Sequence, residues 1–225
     1  MQIIATNAGK RYNREWIFRR FNYEFVSGKA YAVTGSNGSG KSTLLQVISG
    51  ALLHNEGSIE YNPDAGYQIL DESEVSTSNQ HPESRIKHQA SNIQPYKYIS
   101  IAAPYLELIE EMTAKEILEF HKKFKPLILP AVEILKIIGL ESAINKQLRY
   151  FSSGMKQRLK LAQACFSQTP VLLLDEPTNN LDADGIALYH QLITDYTKKK
   201  LVIISSNDKQ EYSFCEEVIE IKDYK

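Results

Sequence analysis

The stretch Gly35-Ser36-Asn37-Gly38-Ser39-Gly40-Lys41-Ser42 decides the fold of this 225-residue chain. It fits the pattern G-x-x-x-x-G-K-[ST], a loop that cradles phosphates. An apolar run, Ala30 to Val33, leads into it. A helix-patterned segment follows, with Leu44, Leu45, Val47, Ile48, Ala51 and Leu52 on one face. Glycines let backbone N–H groups turn inward around a polyphosphate, and the start of the next helix adds partial positive charge. Lys41 is placed to reach the β- and γ-phosphates, and the Ser42 hydroxyl to ligate Mg²⁺. The phosphate-binding set is therefore Gly35 through Ser42 and the adjoining Thr43. A plain Gly-rich turn between strand and helix would leave the Lys-Ser pair unexplained.

Downstream, Leu172-Leu173-Leu174-Asp175-Glu176 is a buried-strand pattern ending in two acids. Such a strand delivers both carboxylates to the C-terminal edge of a sheet, where α/β folds bind ligands. Asp175 is placed to hold Mg²⁺, directly or through water. Glu176 is placed to orient or deprotonate a water that attacks a γ-phosphate.

The bulk properties narrow the class. The chain is long enough for one sizeable α/β domain with an inserted subdomain. Its net charge of −1 provides no global field toward nucleic acid or anionic lipid. Cys165 and Cys215 lie outside any metal-ligand spacing, Cys165 within a helical pattern as a small buried residue. No apolar stretch approaches the roughly 20 residues of a membrane span.

Along the chain, Phe21, Tyr23 and Phe25 alternate at strand period, and Ser58–Tyr61 suggests another strand after Gly57. Residues 71–95 are rich in Ser, Asn, Gln and His and read as a polar insertion, with His81 and His88 solvated. Thr113-Ala-Lys-Glu116 is a capping box opening a helix over Ile117–Phe124 that Pro126 ends. A second helix over Ala131–Ile138 stops at Gly139. Val171–Leu174 and Leu201–Ile204 read as buried parallel strands, Ile186–Tyr196 as helix, and Val218–Ile221 as a last strand.

The third landmark is Phe151-Ser152-Ser153-Gly154-Met155-Lys156-Gln157-Arg158, opening a helix just before the acidic strand. Here the chain resembles the ATP-binding cassette family, whose signature is Leu-Ser-Gly-Gly-Gln followed by a basic helix. Ser152 and Gly154 match; Ser153 and Met155 depart. Leu161-Ala162-Gln163-Ala164 and Asp175-Glu-Pro-Thr-Asn-Asn-Leu-Asp182 are also similar to the family, and the motifs occur in order along essentially the whole chain. The resemblance implies an α/β fold: a P-loop NTPase core with a mostly parallel sheet, an N-terminal antiparallel β subdomain and an inserted helical subdomain. The expected division is a core of about 1–98 and 156–225 with a helical subdomain of about 99–155. It implies ATP and Mg²⁺ as cofactors and a head-to-tail homodimer or heterodimer, each phosphate loop facing the partner's Ser152–Met155 with Asp182 at the seam. Tyr12 matches the family's adenine-stacking aromatic; Trp16 could serve instead, and either could equally be a strand aromatic facing the core.

Two positions depart from the family. Asn207, in Leu201-Val-Ile-Ile-Ser-Ser-Asn207-Asp208, stands where a histidine usually contacts the γ-phosphate. An amide donates a hydrogen bond but neither charges nor passes a proton. Ala103 or Pro104 stands where a glutamine is usual. With Glu176 retained, these changes predict intact ATP binding and slow hydrolysis, which Asn207→His should raise. The resemblance implies a cytoplasmic ATPase subunit, peripheral to the membrane through an integral permease partner, with no nucleic-acid role. The signature looks closest to exporter-type and heme-exporter-like subunits. Tyr105, Leu106, Leu108 and Ile109 offer apolar contacts for a permease helix. The alternatives are a soluble non-transport cassette ATPase and an ATP-dependent dimer switch with little turnover.

Overall fold

The computed structural model describes residues 1–64 and 94–225. The expected polar insertion, except for residues 94 and 95, and both of its histidines lie outside the described residues. Ten strands and helices come first and carry the frame: β1 (Gln2–Tyr12), β2 (Glu15–Val26), β3 (Ala30–Thr34), α1 (Lys41–Ile48), β4 (Glu56–Asn62), α2 (Pro95–Tyr98), β5 (Ile99–Ala102), α3 (Ala114–Lys122), α4 (Ala131–Ile137) and α5 (Ser153–Cys165). Then follow β6 (Val171–Asp175), α6 (Ala183–Tyr196), β7 (Leu201–Ser205) and β8 (Glu217–Glu220).

The strands form two sheets. One is antiparallel, in the order β2-β1-β4; the other has five strands in the order β5-β6-β7-β3-β8. Every pairing in the second sheet is parallel. The sequence explains the difference. All five residues of β6 and of β7 are buried, as a strand covered on both faces requires. In β2 Phe21 and Phe25 share one period-2 face, and Phe18 is buried beyond the left-handed Arg20 (φ 52°) that interrupts the alternation. The β1–β2 hairpin closes through Asn13 and Arg14, with Tyr12 opposite Glu15 and Asn13 at φ 54°.

The parallel sheet separates two apolar clusters. Val171, Leu173, Leu201 and Ile203 face α1 and the antiparallel sheet, meeting Leu44, Leu45, Phe21 and Phe25. Leu172, Leu174, Val202 and Ile204 face the other way, onto Leu159, Ala162, Tyr189 and Leu192 of α5 and α6. Each such leucine is wholly removed from water and contributes roughly 2 kcal/mol of transfer free energy. The second cluster runs on without a break into Leu118, Ile134 and Leu135 of α3 and α4.

Several expectations need correction. The helix after the phosphate loop ends at Ile48, because Gly50 turns left-handed (φ 75°), so Ala51 and Leu52 are not on its face. The helical subdomain does not begin at residue 99: Ile99–Ala102 pairs with Val171–Leu174 as the edge of the parallel sheet. Nor does it stop at 155, since α5 is one continuous helix across that point. The capping box forms as expected, with the Glu116 N–H on Thr113 Oγ1 at 3.2 Å and the Thr113 N–H on Glu116 Oε2 at 2.8 Å. Cys165 is fully buried, and burial pushes its thiol up to about 12.

Candidate functional site

The parallel strands β3, β6 and β7 end side by side, and the loops that leave β3 and β6 line one cavity of about 190 Å³. Its walls are Ile17, the loop from Asn37 to Thr43, and Glu176. Gly40 is the N-cap of α1, with φ 107°. A Cβ there would stand 2.3 Å from Ile17 Cγ2, so conformation and space both demand glycine. Lys41 is 5 % exposed, and its ammonium donates to the carbonyls of Gly35 (2.7 Å) and Ser36 (3.2 Å). Burial pulls its pKa down, and the nearby Glu176 and Asp175 pull it partly back.

Asp175 and Glu176 leave the end of β6 in different states. Asp175 is 2 % exposed, and its Oδ1 has no hydrogen-bond partner; Ser39 Oγ and Ser205 Oγ share that condition among the described residues. Asp175 pairs with Ser205 across the sheet, and Ser39 belongs to the phosphate loop. Buried polar atoms are ordinarily paired. An orphaned carboxylate oxygen beside the loop that presents Ser42 therefore fits an oxygen-ligand cation such as Mg²⁺. Glu176 lines the cavity with its backbone left-handed at φ 44°. For a residue with a Cβ that costs about 1–2 kcal/mol, and the neighbouring contacts must hold it. Its N–H donates to Ser205 O at 2.9 Å.

Asn207 reaches the same loop from the end of β7. Its Nδ2 donates to Asn37 Oδ1 at 2.8 Å, and its Oδ1 accepts the Gly35 N–H at 3.3 Å. At the join with the helices, Ala103 is buried and Pro104 exposed, their carbonyls taken by the Lys160 ammonium at 3.5 and 3.2 Å. Tyr105 and Ile109, both expected as apolar contacts, are exposed. Burial of part of its ring raises the pKa of Tyr105. Tyr12 is 48 % exposed and so is not a core aromatic; the Lys10 ammonium sits 5.3 Å from its ring. Trp16 is clasped by Arg11 and Arg19, with guanidinium-to-ring distances of 5.4 and 4.6 Å, which leaves Tyr12 the freer ring.

The signature residues build a second cavity of about 460 Å³ elsewhere on the chain. Ser152 caps α5, its Oγ accepting the Met155 N–H at 3.2 Å. Ser152 through Met155 line the cavity together with Arg158, Asn180 and Asp182. Asp182 caps α6 through the Gly185 N–H at 2.9 Å and pairs with Arg158 at 2.8 Å. Those two bonds, the backbone one first, hold its carboxyl below the usual range. The two cavities share no lining residue. Sequence patterns alone did not reveal Ile17 in the first wall, the Gln157 side chain on Pro177 O (2.8 Å), or the buried Glu211 on Thr178. Gln157 lay in a motif already singled out; Ile17 and Glu211 carry no local pattern.

Comparison with known proteins identifies the family. The family model described as ABC transporter matches residues 18–179. YybJ of Bacillus subtilis (strain 168), an uncharacterized ABC transporter ATP-binding protein, is 30 % identical over 97 % of this chain and 92 % of its own length. HrtA of Staphylococcus aureus (strain MRSA252), an ATP-binding protein named for hemin import, is 29 % identical over 99 % of this chain and 96 % of its own. Among solved structures, the bacterial ABC transporter cassette MJ0796, described as dimeric, has a TM-score of 0.75 at 23 % identity, covering 97 % of this chain and 94 % of that one. With that model matched across most of its length and a phosphate loop, acidic strand end and capped signature helix in their places, the chain belongs to the ABC transporter family.

Proposed function

We propose that this chain binds and hydrolyses ATP as the nucleotide-binding subunit of an ABC transporter and drives a separate integral membrane permease. One observation carries the reading: the phosphate-loop cavity and the signature cavity lie on one chain yet share no residue. Two copies, or this chain and a similar partner, placed head to tail complete both at once. ATP then acts as the adhesive of the pair, and its cleavage releases it.

In this reading the backbone N–H groups of Gly35–Gly40 and the Lys41 ammonium bind the phosphates, Lys41 exchanging its loop carbonyls for phosphate oxygens. Tyr12 stacks on adenine. Ser42 and Asp175 would hold Mg²⁺, which when bound would neutralise phosphate charge. Glu176 orients the attacking water and accepts its proton. Ser152 and the N–H groups opening α5 face the partner's γ-phosphate, as a helix N-terminus favours. The family's ATP-binding subunits support a cytoplasmic place for this chain, peripheral to the membrane through the permease; among the described residues no helix is long and apolar enough to cross a membrane.

Steady-state ATPase of the purified protein tests the enzyme. Wild type should turn over, and Glu176→Gln should lose about 10²-fold or more in kcat with ATP binding kept. Capture of tagged Glu176→Gln protein from solubilised membranes with ATP present tests the coupling. A polytopic membrane protein should come with it; recovery of soluble partners alone would sink the transporter reading. Negligible turnover in wild type, no higher than in Glu176→Gln, would favour the dimer-switch alternative.

A further inference from the structure

Glu211 is a glutamate buried to 4 % exposure, four residues beyond Asn207. Its Oε1 accepts the Thr178 N–H at 2.8 Å and also the Thr178 hydroxyl. Its carbonyl accepts the Tyr189 hydroxyl of α6 at 2.6 Å, and its N–H donates to Asp208 O at 3.0 Å. Glu211 is thus fastened at one end to the turn Asp208–Glu211 that follows Asn207, and at the other to the loop two residues past Glu176. That loop is the one with the strained Glu176 backbone. Thr178 O in turn accepts the Leu181 N–H at 3.0 Å, which fixes the approach to Asp182. On its other flank the loop is held by Gln157 through Pro177 O.

We propose that Glu211 is a positioning residue for hydrolysis: by taking both Thr178 donors it keeps the Glu176 loop aimed at the phosphate cavity. The inference rests on the ATPase reading above. A polar residue that is buried to hold a neighbouring backbone in an uncommon conformation acts on geometry, and misplacing a reacting group by an ångström is enough to slow a reaction. Because both donors go to one oxygen, an amide can replace the carboxylate, whereas alanine cannot. The turn that follows Asn207 and the loop bearing Glu176 then move together, linked by the Glu211 side chain.

The test uses the full chain carrying Glu211→Ala, Glu211→Gln, Thr178→Val, or Glu211→Ala with Thr178→Val. Glu211→Ala should lower kcat roughly 10- to 100-fold. Affinity for a fluorescent ATP analogue should stay within about twofold, since uniform binding is untouched. Glu211→Gln should restore most of kcat. The double variant should be no slower than Glu211→Ala, because both changes cut one linkage. Hydrogen exchange needs no turnover: Glu211→Ala should speed exchange over residues 176–182 and leave 35–43 unchanged. Unchanged exchange over 176–182, a Gln variant as slow as the Ala variant, or additive losses would each overturn the proposal. A wild type that exchanges as expected but hydrolyses nothing refutes the ATPase reading instead. If Glu211→Ala does not fold, Glu211→Gln and Thr178→Val still decide: Thr178→Val should slow kcat, and no slowing counts against the linkage.

Discussion

At Asn207 the chain has put an amide where its acceptor and donor are both engaged, by Gly35 N–H and Asn37 Oδ1. An amide can lend a hydrogen bond to developing charge, but it carries no positive charge of its own. Asn207→His should therefore raise kcat, by about tenfold or more if the added donor acts as oxyanion-type groups do. Steady-state ATPase at saturating ATP checks this, and a fall would mean that the loop depends on the Asn37–Asn207 contact. The residues of the phosphate loop and the Asp175–Glu176 pair were legible in the sequence because their spacing is contiguous and each position has one chemical use. Glu211 was not. Glu211 stood in a polar run, Asp208-Lys209-Gln210-Glu211, with nothing local to set it apart.

The elements show where local pattern suffices and where it fails. The start of α3 was legible because a capping box is a four-residue device. The end of α1 was not, since the apolar period carries on past Gly50 while the backbone turns left-handed. The strand Ile99–Ala102 was missed as part of the sheet because its partner, β6, lies some seventy residues later, and only tertiary pairing identifies it. One helix also has a pH signature. His121, in the last turn of α3, has its Nε2 2.8 Å from Ser167 Oγ, and Ser167 O accepts the Lys200 ammonium at 2.7 Å. Burial, helped by Lys125, pushes His121 down to about 4. The unfolded chain therefore binds a proton that the folded chain refuses. The stability at stake is present above about pH 6.5 and is lost as pH falls toward 4. Denaturant unfolding at pH 7 and pH 4.5 should differ by about 2 kcal/mol more in wild type than in His121→Gln. An equal loss in both proteins would show that His121 is charged in the folded state.

At the scale of the whole molecule, the order of motifs was enough to anticipate a parallel sheet, a separate antiparallel sheet and helices between the phosphate loop and the acidic strand. Where the layers divide was not, because one apolar cluster joins α3 and α4 to the face of the parallel sheet and leaves no seam in the sequence. The pair of cavities without a common residue has a genetic consequence. In the proposed head-to-tail homodimer, a substitution at Lys41 and one at Ser152 would disable opposite halves of the pair, so each alone would silence both reaction centres. Put together, a Lys41→Ala protein and a Ser152→Arg protein still hold one sound half apiece. In a mixed pair those halves meet at a single centre. Two inactive preparations, combined in equal amounts and left to exchange partners, should thus recover up to about a quarter of wild-type ATPase activity.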